Sequence, residues 1–309
     1  MSGAPRIQIE QDSPNPPRRG LRKGVYLIPS AFTAANIGMG FFSVMESLRG
    51  FQFVGSAGVD FAKAGDHFDR AAVAIGWALL FDMLDGRIAR LTKTTTEIGI
   101  QLDSLADVVT FGLAPAVLAF VWGYGSSLTE GTNLHTLAWF ISFMYLMCGA
   151  FRLARFNVQA SRPRIIAEGT IKVDKKSFVG LPIPVAGCLI AAIVHFTPTP
   201  LLAFGLERAE IYSSLLMLLV GVLSVMMIST LRFSSFKTVG TRTRSTRTII
   251  LAVAIGMLIF LYSRYVLLAL VLAYILHGLL SRLIGMFWRR PDSIETKIEP
   301  NTARRGTQS

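Results

Sequence analysis

The chain has 309 residues, of which 52% are hydrophobic and only 16% are charged, whereas a soluble domain carries about 25% charged residues. Lys and Arg outnumber Asp and Glu by 31 to 19, which gives a formal net charge of +12. Nucleic-acid binding would require many exposed basic residues on a less apolar chain, and a disordered chain would also be less apolar. The composition excludes both classes and indicates an integral membrane protein.

Apolar stretches long enough to cross a bilayer, which takes about 20 residues in a helix, recur along the chain. There are about eight: residues 27–48, 70–90, 99–123, 135–157, 178–197, 211–230, 247–263 and 265–287. Little more than Ser263 and Arg264 separates the last two. No internal repeat is evident. We therefore predict an all-α fold, a polytopic membrane helical bundle, with flexible tails at residues 1–22 and 292–309, which are rich in Pro, Ser, Thr and charge.

The basic residues are distributed asymmetrically between the predicted connections. The side that carries both termini holds most of them, and the opposite side holds only Arg49, Lys63, Arg70, Arg208 and Arg264. Because cytoplasmic loops are enriched in Lys and Arg, this pattern predicts that both termini face the cytoplasm. In a bacterium the membrane would be the inner, cytoplasmic one. Most of the positive charge is therefore explained by topology.

Four aspartates stand out at the cytoplasmic end of the second and third spans. Asp82 and Asp85 are three residues apart and Asp103 and Asp107 are four apart, so each pair lies on one helix face. A short connection around residues 94–96 predicts that the two helices are antiparallel neighbours. The four carboxylates should then converge. Each costs about 2.5–3.5 kcal/mol at a membrane helix centre, so we expect a compensating cation.

Clustered carboxylate oxygens are the ligands that divalent Mg²⁺, Mn²⁺ or Ca²⁺ prefer. Helix caps paired with Arg87 and Arg90 are a simpler explanation for one pair of aspartates, but not for two matched pairs with small residues between them. A cation transporter is a further alternative. Transporters usually hold their ions near the midplane, between inverted repeats, and neither feature is evident in this sequence.

The four aspartates belong to a longer pattern of fixed spacing, Asp82-x2-Asp85-Gly86-x2-Ala89-Arg90-x8-Gly99-x3-Asp103-x3-Asp107. It is similar in all eight fixed positions to the signature of the CDP-alcohol phosphotransferase family. This resemblance implies a six-helix transmembrane core over residues 23–232, with about two additional transmembrane helices in residues 233–291. Members of the family are commonly homodimers.

Four other stretches resemble one subfamily, the membrane-type phosphatidylserine synthases: residues 28–36, 103–116, 151–158 and 178–187. The resemblance implies transfer of a phosphatidyl group from CDP-diacylglycerol, held in the lipid bilayer, to the hydroxyl of L-serine, with release of CMP. Glycerol phosphate, inositol phosphate and choline remain alternative acceptors within the family.

The resemblance also implies roles for individual residues. Asp82, Asp85 and Asp103 would hold the divalent metal, with Asp107 at its edge and acting as general base. The residues implied to bind CDP-diacylglycerol are Gly86, Ala89, Arg90, Gly99, Thr33 and Asn36. Arg90 has an alternative role as a topology charge, and Thr33 and Asn36 have one in hydrogen bonds between helices.

Serine is a zwitterion, so its site needs a cation for the carboxylate and an acceptor for the ammonium group. The candidates at the end of the fourth span are Arg155 with Asn157, followed by Arg152. Lys175 and Lys176 are weaker candidates. Each of these basic residues has an alternative role as a topology charge.

Overall fold

The computed structural model describes residues 22–55, 58–92, 97–161, 177–229, 232–234, 261–278 and 280. Side chains are described within 31–55, 58–88, 98–158, 180–229 and 261–280, except at residue 279. The predicted C-terminal tail, Lys175, Lys176 and most of the predicted span 247–263 lie outside the described residues. So does the predicted N-terminal tail, up to residue 21.

The first two helices form an antiparallel pair. Helix α1 is Arg22–Gly55 and helix α2 is Phe61–Thr92, and they pack along most of their length. Asp60 begins α2, because its Oδ1 accepts a hydrogen bond of 3.0 Å from the Lys63 backbone N–H. Hydrogen bonds from the Lys63 backbone and side chain lower the pKa of the Asp60 carboxyl.

A buried ionic cluster joins α1 to α2 at the end near Asp60. Glu46 is 1% exposed, and its two carboxylate oxygens are shared among three cationic or titratable side chains. Its Oε1 lies 2.7 Å from Arg49 Nη1, and its Oε2 lies 2.7 Å from His67 Nδ1 and 3.7 Å from Arg70 Nη1. A buried carboxylate needs such partners, since an unpaired charge in the interior is strongly destabilising.

Helix α3 is one continuous helix over residues 97–124, within which the hydrogen-bond pattern changes. It begins with α-helical Glu97–Asp107 and then passes through π-helical Val108–Leu113, α-helical Ala114–Ala119 and π-helical Phe120–Tyr124. Thr110, in the first π-helical stretch, donates a hydrogen bond of 3.1 Å from Oγ1 to the Asn36 carbonyl of α1. Helices α1 and α3 are therefore in direct polar contact.

The remaining described elements complete the bundle. They are helix α4 Asn133–Ser161, strand β1 Ser177–Val179, helix α5 Ile183–Phe196, the 3₁₀ turn Leu201–Phe204, helix α6 Leu206–Ile228, strand β2 Arg232–Ser234 and helix α7 Leu261–Gly278. The two short strands pair antiparallel. Large side chains from α2, α3, α5 and α6 fill the core, among them Phe68, Phe111, Leu189 and Leu223.

The all-α, polytopic prediction is confirmed, with differences at two predicted spans. The span predicted at 178–197 begins as a helix only at Ile183, because residues 177–179 form β1 and Gly180 has a φ of 82°. The break predicted at Ser263 and Arg264 is wrong, because both residues lie inside α7. In the sequence, these two polar residues resemble a connection between two spans. In the fold, Ser263 contacts α5 instead.

Four described helices are long and apolar enough to cross a membrane: Ile98–Tyr124, Asn133–Val158, Leu206–Ile228 and Leu261–Gly278. The apolar helix Ile183–Phe196 is shorter. Helices α1 and α2 have 34 and 32 residues, which exceeds the roughly 20 that a bilayer requires. The protein is an integral membrane protein.

Candidate active site

The two aspartate pairs lie on facing parts of the bundle, one pair on α2 and the other at the start of α3. Asp85 is 6% exposed, and Asp82, Asp103 and Asp107 are half-buried. Asp82 is close enough to repel the carboxylates of Asp85, Asp103 and Asp107, and Asp103 also repels Asp85 and Asp107. The structure therefore places the four carboxylates that the sequence groups within electrostatic range of one another. We call these four residues the Asp cluster.

Helix α1 contributes two polar side chains beside the Asp cluster. Thr33 is 5% exposed and donates a hydrogen bond from Oγ1 to Asp85 Oδ2. Asn36, one turn later, is 1% exposed, and neither its Nδ2 nor its Oδ1 has a partner among the described residues. A buried polar group without a partner costs about 1–3 kcal/mol. Asn36 is thus a polar group suited to a ligand that would satisfy it.

Asp107 also has an unsatisfied oxygen. Its Oδ1 is buried and has no hydrogen-bond partner in the described part of the chain. Arg152 of α4 has an electrostatic effect on this carboxylate, and its own Nε is buried and without a partner among the described residues. A carboxylate oxygen and a guanidinium N–H are therefore both available at one place, next to the other three carboxylates.

The other two candidates for serine binding point to different neighbours. Arg155 Nη1 donates a hydrogen bond of 3.4 Å to the Ile228 carbonyl at the end of α6. Asn157 Nδ2 donates one of 2.9 Å to Ser104 Oγ, and Ser104 lies between Asp103 and Asp107 on α3. Asn157 thus reaches the Asp cluster through Ser104, whereas the described hydrogen bond of Arg155 leads to α6 and its charge repels that of Arg152.

Small residues flank the cluster on both helices. Gly86 follows Asp85 on α2, and Gly99 precedes Asp103 on α3; both are exposed. Without side chains, they leave the helix backbone open to close approach by a ligand. Ala89 and Arg90 belong to α2, but their side chains lie outside the described residues.

The donor set of the Asp cluster suits a divalent metal. As the described side chains stand, no three His, Cys, Asp or Glu residues are close enough together to ligate one ion. The cluster nevertheless supplies hard carboxylate oxygens from two helices, and one of them, Asp107 Oδ1, is unsatisfied. A cation between these helices would offset the mutual repulsion of the carboxylates.

Sequence reasoning did not single out two neighbours of this site. Ser104 carries the contact to Asn157, and its position between Asp103 and Asp107 was the signal for it. Tyr274 of α7 is a half-buried neighbour of Arg152. No motif marks Tyr274, and a tyrosine in an apolar span resembles any lipid-facing aromatic residue.

A known protein family matches the part of the chain that contains the site. Residues 26–213 match the family described as CDP-alcohol phosphatidyltransferase. The chain belongs to this family. The matched range includes every candidate residue from Thr33 to Asn157, whereas α7 with Tyr274 follows it.

The chain is similar to proteins from two bacteria and a yeast. The CDP-diacylglycerol–serine O-phosphatidyltransferase of Helicobacter pylori (strain ATCC 700392 / 26695) is 33% identical over 215 residues, which cover 70% of this chain and 75% of the relative. The Bacillus subtilis protein of the same name is 34% identical over 54% of this chain and 76% of its own length. That of Saccharomyces cerevisiae is 35% identical over 55% of this chain and 56% of its own length.

Proposed function

We propose that this family member transfers the phosphatidyl group of CDP-diacylglycerol to the hydroxyl of L-serine, giving phosphatidylserine and CMP. The names of its bacterial and yeast relatives support this choice of substrates. The observation that carries the chemistry is the unsatisfied Oδ1 of Asp107, which lies among three further carboxylates and beside Arg152.

In this proposal Asp107 is the general base. The serine hydroxyl oxygen forms a new bond to the phosphorus atom of the phosphatidyl group, and the bond from that phosphorus to the CMP oxygen breaks. The hydroxyl proton passes to Asp107 Oδ1, which has no competing hydrogen bond among the described residues. A positioned base of this kind contributes about 10²–10⁴-fold to a rate.

Asp82, Asp85 and Asp103 would hold a divalent metal, Mg²⁺ or Mn²⁺, with Asp107 at its edge. Such an ion, when bound, neutralises charge on a diphosphate. Thr33 holds the Asp85 carboxylate in a fixed orientation through its hydrogen bond. Asn36, Gly86 and Gly99 would face the nucleotide, because one has an unsatisfied amide and the other two leave the backbone open.

For the serine carboxylate we propose Arg152 as the principal partner. Arg152 interacts with Asp107 directly, and its Nε lacks a partner among the described residues, whereas Arg155 donates to the Ile228 carbonyl. A carboxylate bound at Arg152 would place the serine hydroxyl, three bonds away, within reach of Asp107. Asn157 would support this arrangement through Ser104.

We propose further that the Asp cluster faces the cytoplasm. The cluster lies at the end of the bundle where α2 is followed by α3, on the side to which the sequence assigns most of its Lys and Arg. Labelling of single cysteines in intact cells with a membrane-impermeant maleimide tests this orientation. A cysteine at position 97 should stay unlabelled and one at position 58 should react; the reverse pattern would invert the topology.

The decisive experiment uses the purified protein in mixed micelles with CDP-diacylglycerol. Labelled serine, glycerol phosphate, inositol phosphate and choline are offered separately, each after chelation with EDTA and after addition of Mg²⁺ or Mn²⁺. Phosphatidylserine formed only with serine and only with the metal supports the proposal. A product formed with another acceptor would replace serine, and undiminished turnover in EDTA would remove the metal from the proposal.

A further inference from the structure

An apolar groove runs along the seam between α1 and α2. It surrounds a cavity of about 300 Å³ and is lined by Met39 and Phe42 of α1 and by Val73, Ala74 and Trp77 of α2. Phe42, Val73 and Trp77 are 44%, 38% and 53% exposed, so one side of the groove is open. Ligand sites in proteins have volumes of about 300–1,000 Å³. The groove is therefore large enough for a slender apolar group.

Two charged side chains, Asp69 and Arg70 of α2, lie at the end of the groove that is remote from the Asp cluster. Both have partners on other helices. Asp69 Oδ1 lies 2.6 Å from His195 Nδ1, and Arg70 Nη1 lies 3.7 Å from Glu46 Oε2. Arg70 precedes Val73 by three residues, or about 4.5 Å along the helix. The apolar lining therefore ends about one turn beyond Val73.

The other end of the groove lies next to the Asp cluster. Phe32 of α1 and Phe81 of α2 meet there, with ring centroids 6.4 Å apart. Each is followed in the chain by a residue of the candidate site, Phe32 by Thr33 and Phe81 by Asp82. Trp77 precedes Phe81 by four residues, about one helical turn. A ligand with a polar group at the Asp cluster and an apolar chain thus reaches both regions.

We propose that the groove binds one acyl chain of the phosphatidyl donor, whose phosphates lie at the Asp cluster. This inference rests on the proposed function, which makes CDP-diacylglycerol the donor. Val73 precedes Phe81 by eight residues, or about 12 Å along α2. Tetrahedral C–C bonds of about 1.5 Å advance an extended chain by about 1.25 Å each. About ten carbons therefore extend from Phe81 to Val73, whereas a butanoyl chain ends near Trp77.

The position of the groove favours a chain of the donor over a chain of a bulk phospholipid. Lipid tails are as apolar as the lining, so transfer from the bilayer into the groove brings no hydrophobic gain. The donor differs in that its phosphates hold the glycerol close to Phe32 and Phe81. Such a tether makes binding of the chain an intramolecular step. A bulk phospholipid has no tether of this kind.

The first test compares Val73→Trp, which fills the groove, with Leu218→Trp on α6. Leu218 is 65% exposed and lies outside the groove. The KM for CDP-diacylglycerol is measured with hexadecanoyl and with butanoyl chains. We expect Val73→Trp to raise the KM about tenfold for the long-chain donor, because an overpacked site costs about 1–3 kcal/mol. The KM for the short-chain donor and the KM for serine should change less than about twofold.

Leu218→Trp should match the wild type with both donors. The inference would be overturned by an equal effect of Val73→Trp on the two donors, by an unchanged KM for the long-chain donor, or by the same effect in Leu218→Trp. The contrast between the donors separates a blocked groove from a damaged fold, since a damaged fold would impair both.

The second test locates the chain directly in the wild-type protein. CDP-diacylglycerol with a diazirine near the tenth carbon of an acyl chain is photolysed with the protein, and mass spectrometry identifies the labelled residues. We expect adducts on Met39, Phe42 or Val73 that excess unlabelled CDP-diacylglycerol suppresses. Phosphatidylcholine with the same chain should label them much less. Labelling confined to other helices, or equal labelling by phosphatidylcholine, would overturn the inference.

Photolabelling requires no serine, so the two proposals fail in different ways. If the protein forms no phosphatidylserine but the donor labels the groove, the proposed choice of serine fails and the inference stands. If phosphatidylserine is formed and the label lies elsewhere, only the inference fails.

Discussion

Thr33 on α1 donates a hydrogen bond to Asp85 on α2, and the two residues are 52 positions apart in the chain. Both side chains are buried, at 5% and 6% exposure. Of the four clustered carboxylates, the most deeply buried one is therefore held by a hydroxyl from a different helix. Because such a carboxylate costs free energy when unpartnered, α1 helps to build the site.

Replacing Thr33 by Val should weaken the proposed metal site. Val has nearly the same shape and removes the hydroxyl, so Asp85 loses a buried hydrogen-bond donor at a cost of about 1–3 kcal/mol. We expect the Mn²⁺ concentration for half-maximal activity to rise about tenfold and Tm in detergent to fall. Thr33→Ser keeps the donor and should retain most of both. A Thr33→Val protein with the wild-type metal dependence would separate Thr33 from the site.

The grouping of the carboxylates in two pairs could be predicted from the sequence. Helical spacing depends only on nearby residues, and a charged residue in an apolar span is unfavourable whatever the rest of the fold. It also singled out Thr33 and Asn36 as a polar pair one turn apart. Their different roles depend on tertiary structure, because Thr33 meets Asp85 whereas the Asn36 side chain meets no described partner. Only the three-dimensional arrangement distinguishes a hydrogen bond between helices from a buried amide without a described partner.

The errors in the sequence reading have a similar origin. The apolar run before Ile183 read as part of a span, but residues 177–179 pair with β2 and Gly180 takes a positive φ. A strand partner more than 50 residues away leaves no local signal. Likewise, Ser263 read as a break between spans, whereas its hydroxyl satisfies His195 of another helix.

Asp107→Asn should abolish phosphatidyl transfer while leaving the protein folded. The amide is nearly isosteric with the carboxylate but cannot accept the serine proton, so we expect kcat to fall by about 10²–10⁴-fold. Asp66→Asn is the matched control, since Asp66 is an exposed aspartate nearer the opposite end of α2. Initial rates and size-exclusion profiles check the two variants. A variant at position 107 that keeps a tenth or more of the wild-type rate would remove Asp107 as the base.

The two arginines of α4 should differ in their effect on serine binding. Removing the Arg152 guanidinium in Arg152→Ala deletes a charge-assisted contact worth about 1.5–3 kcal/mol, which corresponds to a rise of about 10–150-fold in the serine KM. Arg155→Ala should change this KM less than about threefold, because the described hydrogen bond of Arg155 is to the Ile228 carbonyl. Steady-state kinetics at saturating CDP-diacylglycerol measure both. The opposite order would assign the serine carboxylate to Arg155.

Two glycines on α1, two residues apart, should respond differently to the same substitution. A Cβ at Gly40 would lie 2.5 Å from Thr110 Oγ1 and 2.9 Å from Thr110 Cα, whereas a Cβ at Gly38 would have nothing within 4 Å. Gly40→Ala must therefore push α3 from α1 and strain the bond from Thr110 to the Asn36 carbonyl. Overpacking of this kind costs about 1–3 kcal/mol. Gly38→Ala adds a methyl group on an exposed face and favours the helix.

We accordingly expect Gly40→Ala to lower Tm in detergent by several degrees and to reduce transferase activity, because α1 carries both Thr33 and Asn36. Gly38→Ala should leave Tm unchanged or slightly raised, with wild-type activity. Thermal unfolding followed by intrinsic fluorescence and the serine transfer assay measure the two effects on the same preparations. Equal Tm values for the two variants would show that α1 and α3 do not pack closely at Thr110.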